Sequence, residues 1–408
     1  MSSESQRVPA YSWYALAVLT AVYVLNFLDR TLIYILFTPI KKEMAFSDLQ
    51  LALLGTTSFV IFYTLLGVPF GWLADRVPRK VIIGVGLAVW SLFSGLTGFA
   101  HSFWSIFFCR MMVGVGEATL GPAALSLLSD AFPPRMRATS QSIYSSGIAI
   151  GGGLAFFLGG WIGQTYSWRV AFYALGFPGL LLAVLVFALR EPARGRTDAI
   201  VRENANWRDL KPLGYLFAGY ALIGLASNNL GIWGPTFYVR MHGLSLKTVG
   251  TAAGLLSIAV GMPAMILGGW FSDRVKRRMA FTAVAALVCV PLWIALLTLD
   301  AIPSLVAANV VLYALSVLWV GPATADVTEV AGPRLRGLAI GIFFSIVNIT
   351  AYGVGSPLIG KLSDVTGLRN ALMVCPAACA AGALFLWMGS RSRTTDESAI
   401  ASARRARA

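Results

Sequence analysis

Charged residues are scarce in this 408-residue chain, at 12% of the total. Soluble domains carry about 25%. Histidine occurs twice and cysteine four times. His101 and His242 lie near expected loops and far apart, and Cys109, Cys289, Cys375 and Cys379 all fall inside apolar segments. They form no metal-ligand spacing, disulfide framework or nucleophile–base pair, so the cysteines read as small packing residues. Walker, HExxH and catalytic-triad patterns are missing. GSPLIGKL, 355–362, has the glycines and lysine of a phosphate loop, but Leu362 stands where Ser or Thr is needed and the stretch ends an apolar helix. NIT, 348–350, fits a glycosylation pattern but lies inside an apolar run. No cofactor and no metal is expected, and the chain does not read as an enzyme.

What the chain has in abundance is apolar sequence, 57% of residues. A membrane-crossing helix needs about 20 consecutive apolar residues. Twelve such segments occur, at 12–38, 49–73, 80–100, 103–128, 139–165, 169–189, 212–239, 248–271, 280–299, 303–325, 337–360 and 369–389. The alternating pattern of a β-barrel is lacking. The opening MSSESQRVPA is short and polar, and the run after it is too long for a signal-peptide core, so it should stay as helix 1. The reading is an all-α polytopic membrane protein of 12 transmembrane helices.

The net charge of +14 follows topology rather than nucleic-acid binding. With the N-terminus inside, inner segments hold 23 of the 32 Lys and Arg residues and outer segments hold 7. Arg30 and Arg110 alone fall well within spans. This positive-inside bias predicts both termini in the cytoplasm of a multi-pass protein. The short loops suggest a bacterial inner membrane. A bilayer and a small-molecule or lipid-like substrate are the expected partners, with nucleic acid excluded and a monomer expected.

The chain also repeats itself. GWLADRVPRK, 71–80, and GWFSDRVKRR, 269–278, share six of ten residues at a separation of 198. DAFPPRMR, 130–137, matches EVAGPRLR, 329–336, at a separation of 199. Two pairs at the same place in each half indicate a duplicated six-helix unit. The expected domains are a bundle over 1–189, a cytoplasmic linker over 190–211 in which a short surface helix is plausible, a second bundle over 212–389 and a cytoplasmic tail over 390–408.

These repeated loops resemble the G-x-L-x-D-R-x-G-R-K loop of the major facilitator superfamily, with Pro78 in place of a glycine. NFLDR (26–30), RMMVGVGEA (110–118) and FPPRMRATSQSIYSSG (132–147) are similar to the Spinster family, which includes bacterial members and animal exporters of sphingosine-1-phosphate and related lysolipids. The resemblance implies two pseudo-symmetric six-helix bundles, alternating access and a site between the bundles near mid-membrane. It also implies that helices 1 and 4 line that site.

NFLDR poses the sharpest question, because charge at bilayer depth is costly and usually functional. At 1.5 Å per residue, Asp29 lies roughly 24 Å along helix 1, Arg110 roughly 10 Å and Glu117 roughly 21 Å down helix 4. Arg110, Gly114, Glu117 and Gly121 share one helix face. Asp29, Arg30, Arg110 and Glu117 should therefore converge. Asp29 and Glu117 are the candidate proton carriers. Arg30 and Arg110 would modulate them or hold an anionic head group. The alternative is a static ion network that fixes packing. In the second half Asn228, Asn229 and Asn348 are candidates to shape the substrate pocket, with interhelical hydrogen bonding as the alternative. Asp75, Arg76, Asp273, Arg274, Arg135, Arg137, Arg334 and Arg336 are candidates for a cytoplasmic gate. GIAIG (147–151) and GLAIG (337–341) are G-x-x-x-G patterns suited to close packing.

The expected function is proton-coupled secondary active transport of an amphiphile: a lysolipid, a sphingoid lipid or a hydrophobic drug. The alternative is a proton symporter for a small organic anion, held by Arg30 or Arg110. A membrane enzyme or sensor is disfavoured, since the buried polar groups lack catalytic pairing and no soluble domain is appended.

Overall fold

Serine side chains open four of the helices, as seen in the computed structural model. The structure describes residues 8–405 except 75, 134–135, 192–212, 273 and 276–277; the side chains of 138, 332–337 and 392–405 also lie outside the description. The helices are α1 Ala10–Ile35, α2 Asp48–Ala74, α3 Arg79–Thr97, α4 Phe103–Ala131, α5 Thr139–Thr165 and α6 Trp168–Phe187. α7 is Gly214–Met241. The rest are α8 Leu246–Ser272, α9 Arg278–Thr298, α10 Ile302–Ala331, α11 Leu338–Thr366 and α12 Leu368–Arg391. No strand occurs among the described residues. Eleven helices are long and apolar enough to cross a membrane by length and composition. α7 completes the twelve; its middle carries Ser227, Asn228 and Asn229.

Local chemistry places the helix starts. Ser47, Ser102, Ser167 and Ser245 each accept a hydrogen bond from the backbone N–H three residues on, at 3.1, 3.2, 3.2 and 3.0 Å. Each bond satisfies one of the orphan donors at a helix start. α3 starts differently. Glu191 accepts from the backbone N–H groups of Arg79 at 2.9 Å and Lys80 at 3.2 Å, so a carboxylate at the end of the first half caps a helix 112 residues earlier. Burial raises the Glu191 pKa, but its bonds from the Arg79 side chain and from these two N–H groups outweigh that and hold it below the usual glutamate range. The last helix continues as helical backbone to Arg405.

Large apolar side chains face outward. Val68 and Leu181 are 80% and 76% exposed, which suits contact with lipid rather than water.

The chain forms two compact units, residues 1–202 with 238–258, and residues 203–237 with 259–408. α7 therefore begins in one unit and ends in the other. In the first unit α1 packs on α5. Gly151 permits this contact, because a Cβ there would sit 2.2 Å from the Val24 carbonyl oxygen. The glycine pattern expected to match it in the second half does not behave alike: a Cβ on Gly341 would meet nothing within 4 Å. The Gly337 side of that motif lies outside the described side chains. The first unit has a second glycine seam, between α5 and α8. A Cβ on Gly250 would lie 2.3 Å from the Phe156 carbonyl oxygen, and one on Gly254 would lie 2.7 Å from that of Gly153. Ser257 Oγ donates across this seam to the Ala149 carbonyl at 3.2 Å.

The core of the second unit is aromatic, with Tyr220, Trp319 and Phe343 buried together. Tyr220 donates its hydroxyl to Asp326 Oδ2 at 2.7 Å. Asp326 is a buried acid in the second half that sequence inspection missed, because it falls one residue beyond the apolar run ending at 325.

Candidate functional site

The four ionisable groups singled out in helices 1 and 4 come together in the first unit, in an unexpected pairing. Arg30 donates to a single Glu117 oxygen, Oε2, from Nη2 at 2.8 Å and from Nε at 3.1 Å. The Glu117 side chain is fully buried while that of Arg30 is 15% exposed, so this is a buried pair with one edge reachable. Three aromatic rings surround the guanidinium: its central carbon lies 4.9 Å from the centroid of Phe27, 4.5 Å from Phe59 and 4.9 Å from Tyr63. Cation–π attraction is strongest in such water-poor surroundings. Tyr23 stacks on Tyr144 at 4.2 Å and meets Phe27 edge-on, extending the aromatic wall.

Arg110 does something else. Its Nη1 donates to the Asp29 carbonyl at 3.1 Å and its Nη2 to the Arg30 carbonyl at 3.4 Å. Arg110 is fully buried and forms no ion pair among the described residues. It clamps the backbone of α1 to α4 at the point where the two acids diverge. Asp29 is also fully buried, and its Oδ1 accepts from Ser94 Oγ on α3 at 2.7 Å. Asp29 Oδ2 and Glu117 Oε1 each lack a hydrogen-bond partner among the described residues. A buried carboxyl oxygen without a partner is costly when the group is ionised, and a proton there would offset that cost.

Gly114, on the face shared by Arg110 and Glu117, brings α4 against α2. A Cβ there would lie 2.6 Å from the Phe59 carbonyl oxygen, so glycine sets how closely α4 approaches α2 at Phe59. A π-helical turn over Leu53–Thr57 immediately precedes this part of α2. Such turns often accompany functional sites. Phe59, Tyr63 and Ser94 were not identified from sequence, because aromatic and serine side chains are ordinary span residues.

Two of the second-half asparagines, Asn228 and Asn229, are hydrogen-bonded within their own unit. Asn228 donates to the Gly224 carbonyl at 2.7 Å and accepts from the Tyr352 hydroxyl at 2.6 Å. Asn229 donates to the Leu225 carbonyl at 2.9 Å and to the Ala351 carbonyl of α11 at 3.2 Å. Asn348 lies within α11, immediately before a π-helical turn over Ile349–Gly355. The interhelical bonding alternative thus has direct geometry at Asn228 and Asn229.

Of the gate candidates, Asp75, Asp273 and Arg135 lie outside the described residues, as do the side chains of Arg334 and Arg336. The linker expected over 190–211 is described only at Arg190 and Glu191. Arg137 opens the helix Arg137–Ser145. Arg76 and Arg274 each lie over their own tryptophan, Trp72 and Trp270. Beside these loops, Arg79 is almost wholly buried and donates to Asp130 Oδ2 at 2.6 Å and Glu191 Oε1 at 2.8 Å. Arg278 donates to Glu329 at 2.7 Å. The repeat thus carries an arginine–acid pair in both halves, on the matched residues Asp130 and Glu329.

A further charge cluster was not legible from spacing. Asp48, at the first turn of α2, accepts from Arg240 Nη1 at 2.8 and 2.9 Å and from Lys41 Nζ at 2.6 Å. Its side chain is only 4% exposed. Together with the α5–α8 seam, this pair fastens residues 238–258 to the first unit. Asp48→Asn is expected to lose about 1.5–3 kcal/mol of charge-assisted bonding and to lower the thermal midpoint; an unchanged midpoint in the same detergent would show that the pair adds nothing.

A twelve-helix, two-unit membrane fold with a buried charge cluster on α1 and α4 defines a multi-pass carrier. The chain belongs to the Major Facilitator Superfamily, whose profile matches residues 19–351. It is 28% identical over 410 residues to an MFS-type efflux pump of Mycolicibacterium smegmatis, covering 94% of this chain and 93% of that protein. It is 26% identical over 433 residues to the sphingosine-1-phosphate transporter SPNS2 of Xenopus tropicalis, covering 94% and 83%. Among solved structures, a bacterial homologue of the human lysosomal transporter Spinster, inward-facing and unoccupied, superposes with a TM-score of 0.86 at 25% identity, over 95% of this chain and 98% of that one. The resemblance to Spinster seen in NFLDR and GVGEA is therefore shared by the whole fold, and the family and these relatives are transporters.

Proposed function

We propose that this transporter couples proton movement to passage of an amphiphilic substrate by alternating access, with the coupling site on α1 and α4. The carrying observation is the Arg30–Glu117 pair in its aromatic cage, with Glu117 Oε1 and Asp29 Oδ2 unpartnered. Protonating Glu117 would remove the charge that holds Arg30. Arg30, already at an exposed edge, would then be free to meet an anionic head group. Release of that group would restore the pair and expel the proton. Proton binding at Glu117 and anion binding at Arg30 thus favour each other through one guanidinium, which is a physical route to coupling. Arg110, held on backbone carbonyls, supports the geometry without changing partners.

The amphiphile reading draws support from the Spinster-like relatives and from the aromatic wall of Tyr23, Phe27, Phe59, Tyr63 and Tyr144, which suits an acyl chain next to a charged group. A specific observation favours a second reading: a hexuronate transporter of Bacillus subtilis is 29% identical over 368 residues, covering 84% of this chain and 86% of that protein. On that reading Arg30 would hold a small carboxylate. An inner gate would use Asp75, Asp273, Arg135, Arg137, Arg334 and Arg336; Arg76 and Arg274 are engaged by their own tryptophans and contribute less. We place both termini in the cytoplasm of a bacterial inner membrane and expect a monomer.

The test is proton flux in liposomes loaded with a pH dye. Lysolipids, sphingoid phosphates, hydrophobic drugs and hexuronates would be added in turn. Flux driven by the long-chain compounds and not by hexuronates is expected. Flux driven by hexuronates alone would establish the second reading, and tracer uptake without proton flux would make the protein a facilitator.

A further inference from the structure

Three helices carry an arginine laid on a tryptophan one turn earlier, and two of the three end there. The central carbon of Arg76 lies 3.6 Å from the ring centroid of Trp72, that of Arg274 lies 3.5 Å from Trp270, and that of Arg391 lies 5.5 Å from Trp387. The tryptophans are 57%, 48% and 44% exposed. Arg391 lies inside the last helix, which runs on to Arg405, while the first two close α2 and α8, even-numbered spans that end on the side from which the chain enters α1. By the charge bias this is the cytoplasmic face. The first two pairs are the duplicated GW-x-x-DR ends, one in each unit, and their fine geometry is also duplicated. Arg76 Nη1 donates to the Trp72 carbonyl at 3.3 Å, and Arg274 Nη1 donates to the Trp270 carbonyl at 2.9 Å.

An arginine at a helix C-terminus is favoured by the helix dipole wherever it points. That alone does not explain a guanidinium folded back over an exposed indole, toward the membrane. The opposite face supplies the contrast. There Arg169 lies 4.3 Å from the Trp168 ring, but Trp168 is buried and Glu43 accepts from Arg169 at 2.8 and 3.0 Å. That pair is packed and neutralised. Arg76 and Arg274 form no ion pair among the described residues, and their stacks face outward. Indole rings settle at the level of lipid head groups. A guanidinium held flat on such a ring keeps the rest of its donor fork fixed, which matches a phosphate.

We propose that Trp72/Arg76 and Trp270/Arg274 are two equivalent binding sites for the phosphate of an anionic diacyl phospholipid, one at the same corner of each six-helix repeat. The indole packs beside the glycerol and upper acyl chain, while the guanidinium meets the phosphate. The device is independent of the transport site on α1 and α4.

Native mass spectrometry of the full chain, released from detergent with increasing phosphatidylglycerol or phosphatidylcholine, tests this. The protein should retain two phosphatidylglycerols in excess of phosphatidylcholine. Arg76→Ala or Arg274→Ala should each remove one of them, with retention about fivefold weaker per arginine lost. The double variant should show no preference, and Arg76→Lys should keep part of it. Arg369→Ala, on the opposite face, should change nothing. Full phosphatidylglycerol preference in the double variant would overturn the proposal. So would an equal loss in Arg369→Ala, which would mean general charge, or displacement of the lipid by millimolar inorganic phosphate, which would mean a free-anion site.

Discussion

Glu117→Gln is expected to abolish substrate-driven proton flux while leaving the protein folded. The substitution keeps the shape and an acceptor oxygen for Arg30, so the 2.8 Å contact can persist as a weaker bond. What disappears is the exchangeable charge. Removing one partner of a buried pair commonly costs about 3–5 kcal/mol. Here the cost should sit below that range, because Arg30 keeps an exposed edge and three ring faces. The informative comparison is with Asp29→Asn. Asp29 is tied to Ser94 rather than to an arginine, so its loss should alter the pH dependence of flux without freeing Arg30. Arg110→Lys should act differently from both: one ammonium cannot span two successive carbonyls of α1, so the expected result is a lower thermal midpoint. Normal flux with unchanged pH dependence in both acid variants would reduce the cluster to a packing device.

Gly250→Leu is expected to force α5 and α8 apart and to cost transport more than any other substitution away from the charge cluster. A Cβ at 250 would meet a carbonyl oxygen at 2.3 Å and the Gly160 Cα at 3.0 Å. Both are backbone, so neither can rotate away. Overpacking typically costs about 1–3 kcal/mol, and relief here requires moving a whole helix. The Ser257–Ala149 bond across the seam should be lost with it. Distances between spin labels on α5 and α8 should lengthen. Gly341→Ala is the control: with open space around it, the change should be neutral or stabilise the helix by about 1 kcal/mol. Unaltered α5–α8 distances and full transport in Gly250→Leu would show that the seam can open at no cost.

Much of this architecture is legible without coordinates. A bilayer accepts only segments with satisfied backbones, so twelve long apolar runs dictate twelve helical spans, and the lysine and arginine bias predicts their direction. The duplication is equally plain, because GWLADRVPRK and GWFSDRVKRR occupy the same place in each half. Membership of the charge cluster followed from cost and depth together with the family resemblance: few charges survive at bilayer depth, Asp29, Arg30, Arg110 and Glu117 lie at similar depths, and the resemblance implies that helices 1 and 4 line one site.

Partner choice was decided only by the tertiary structure. Axial rise locates a residue along a helix, but which arginine meets which acid depends on helix rotation and rotamer. Two arginines at similar depth therefore took unlike roles, Arg30 on a carboxylate and Arg110 on main-chain carbonyls. The aromatic cage was hidden because Phe59 and Tyr63 are ordinary span residues until α2 is set against α4 by Gly114. Asp48 and Arg240 are 192 residues apart, and no local pattern links them. The two G-x-x-x-G motifs read alike, yet Gly151 touches a neighbouring backbone and Gly341 touches nothing, since a motif permits close approach while only the neighbour's position creates it. Composition and periodicity determined which segments cross the membrane and which charges lie inside it. The rotation and spacing of those segments, set by packing between residues far apart in the chain, decided which side chains meet.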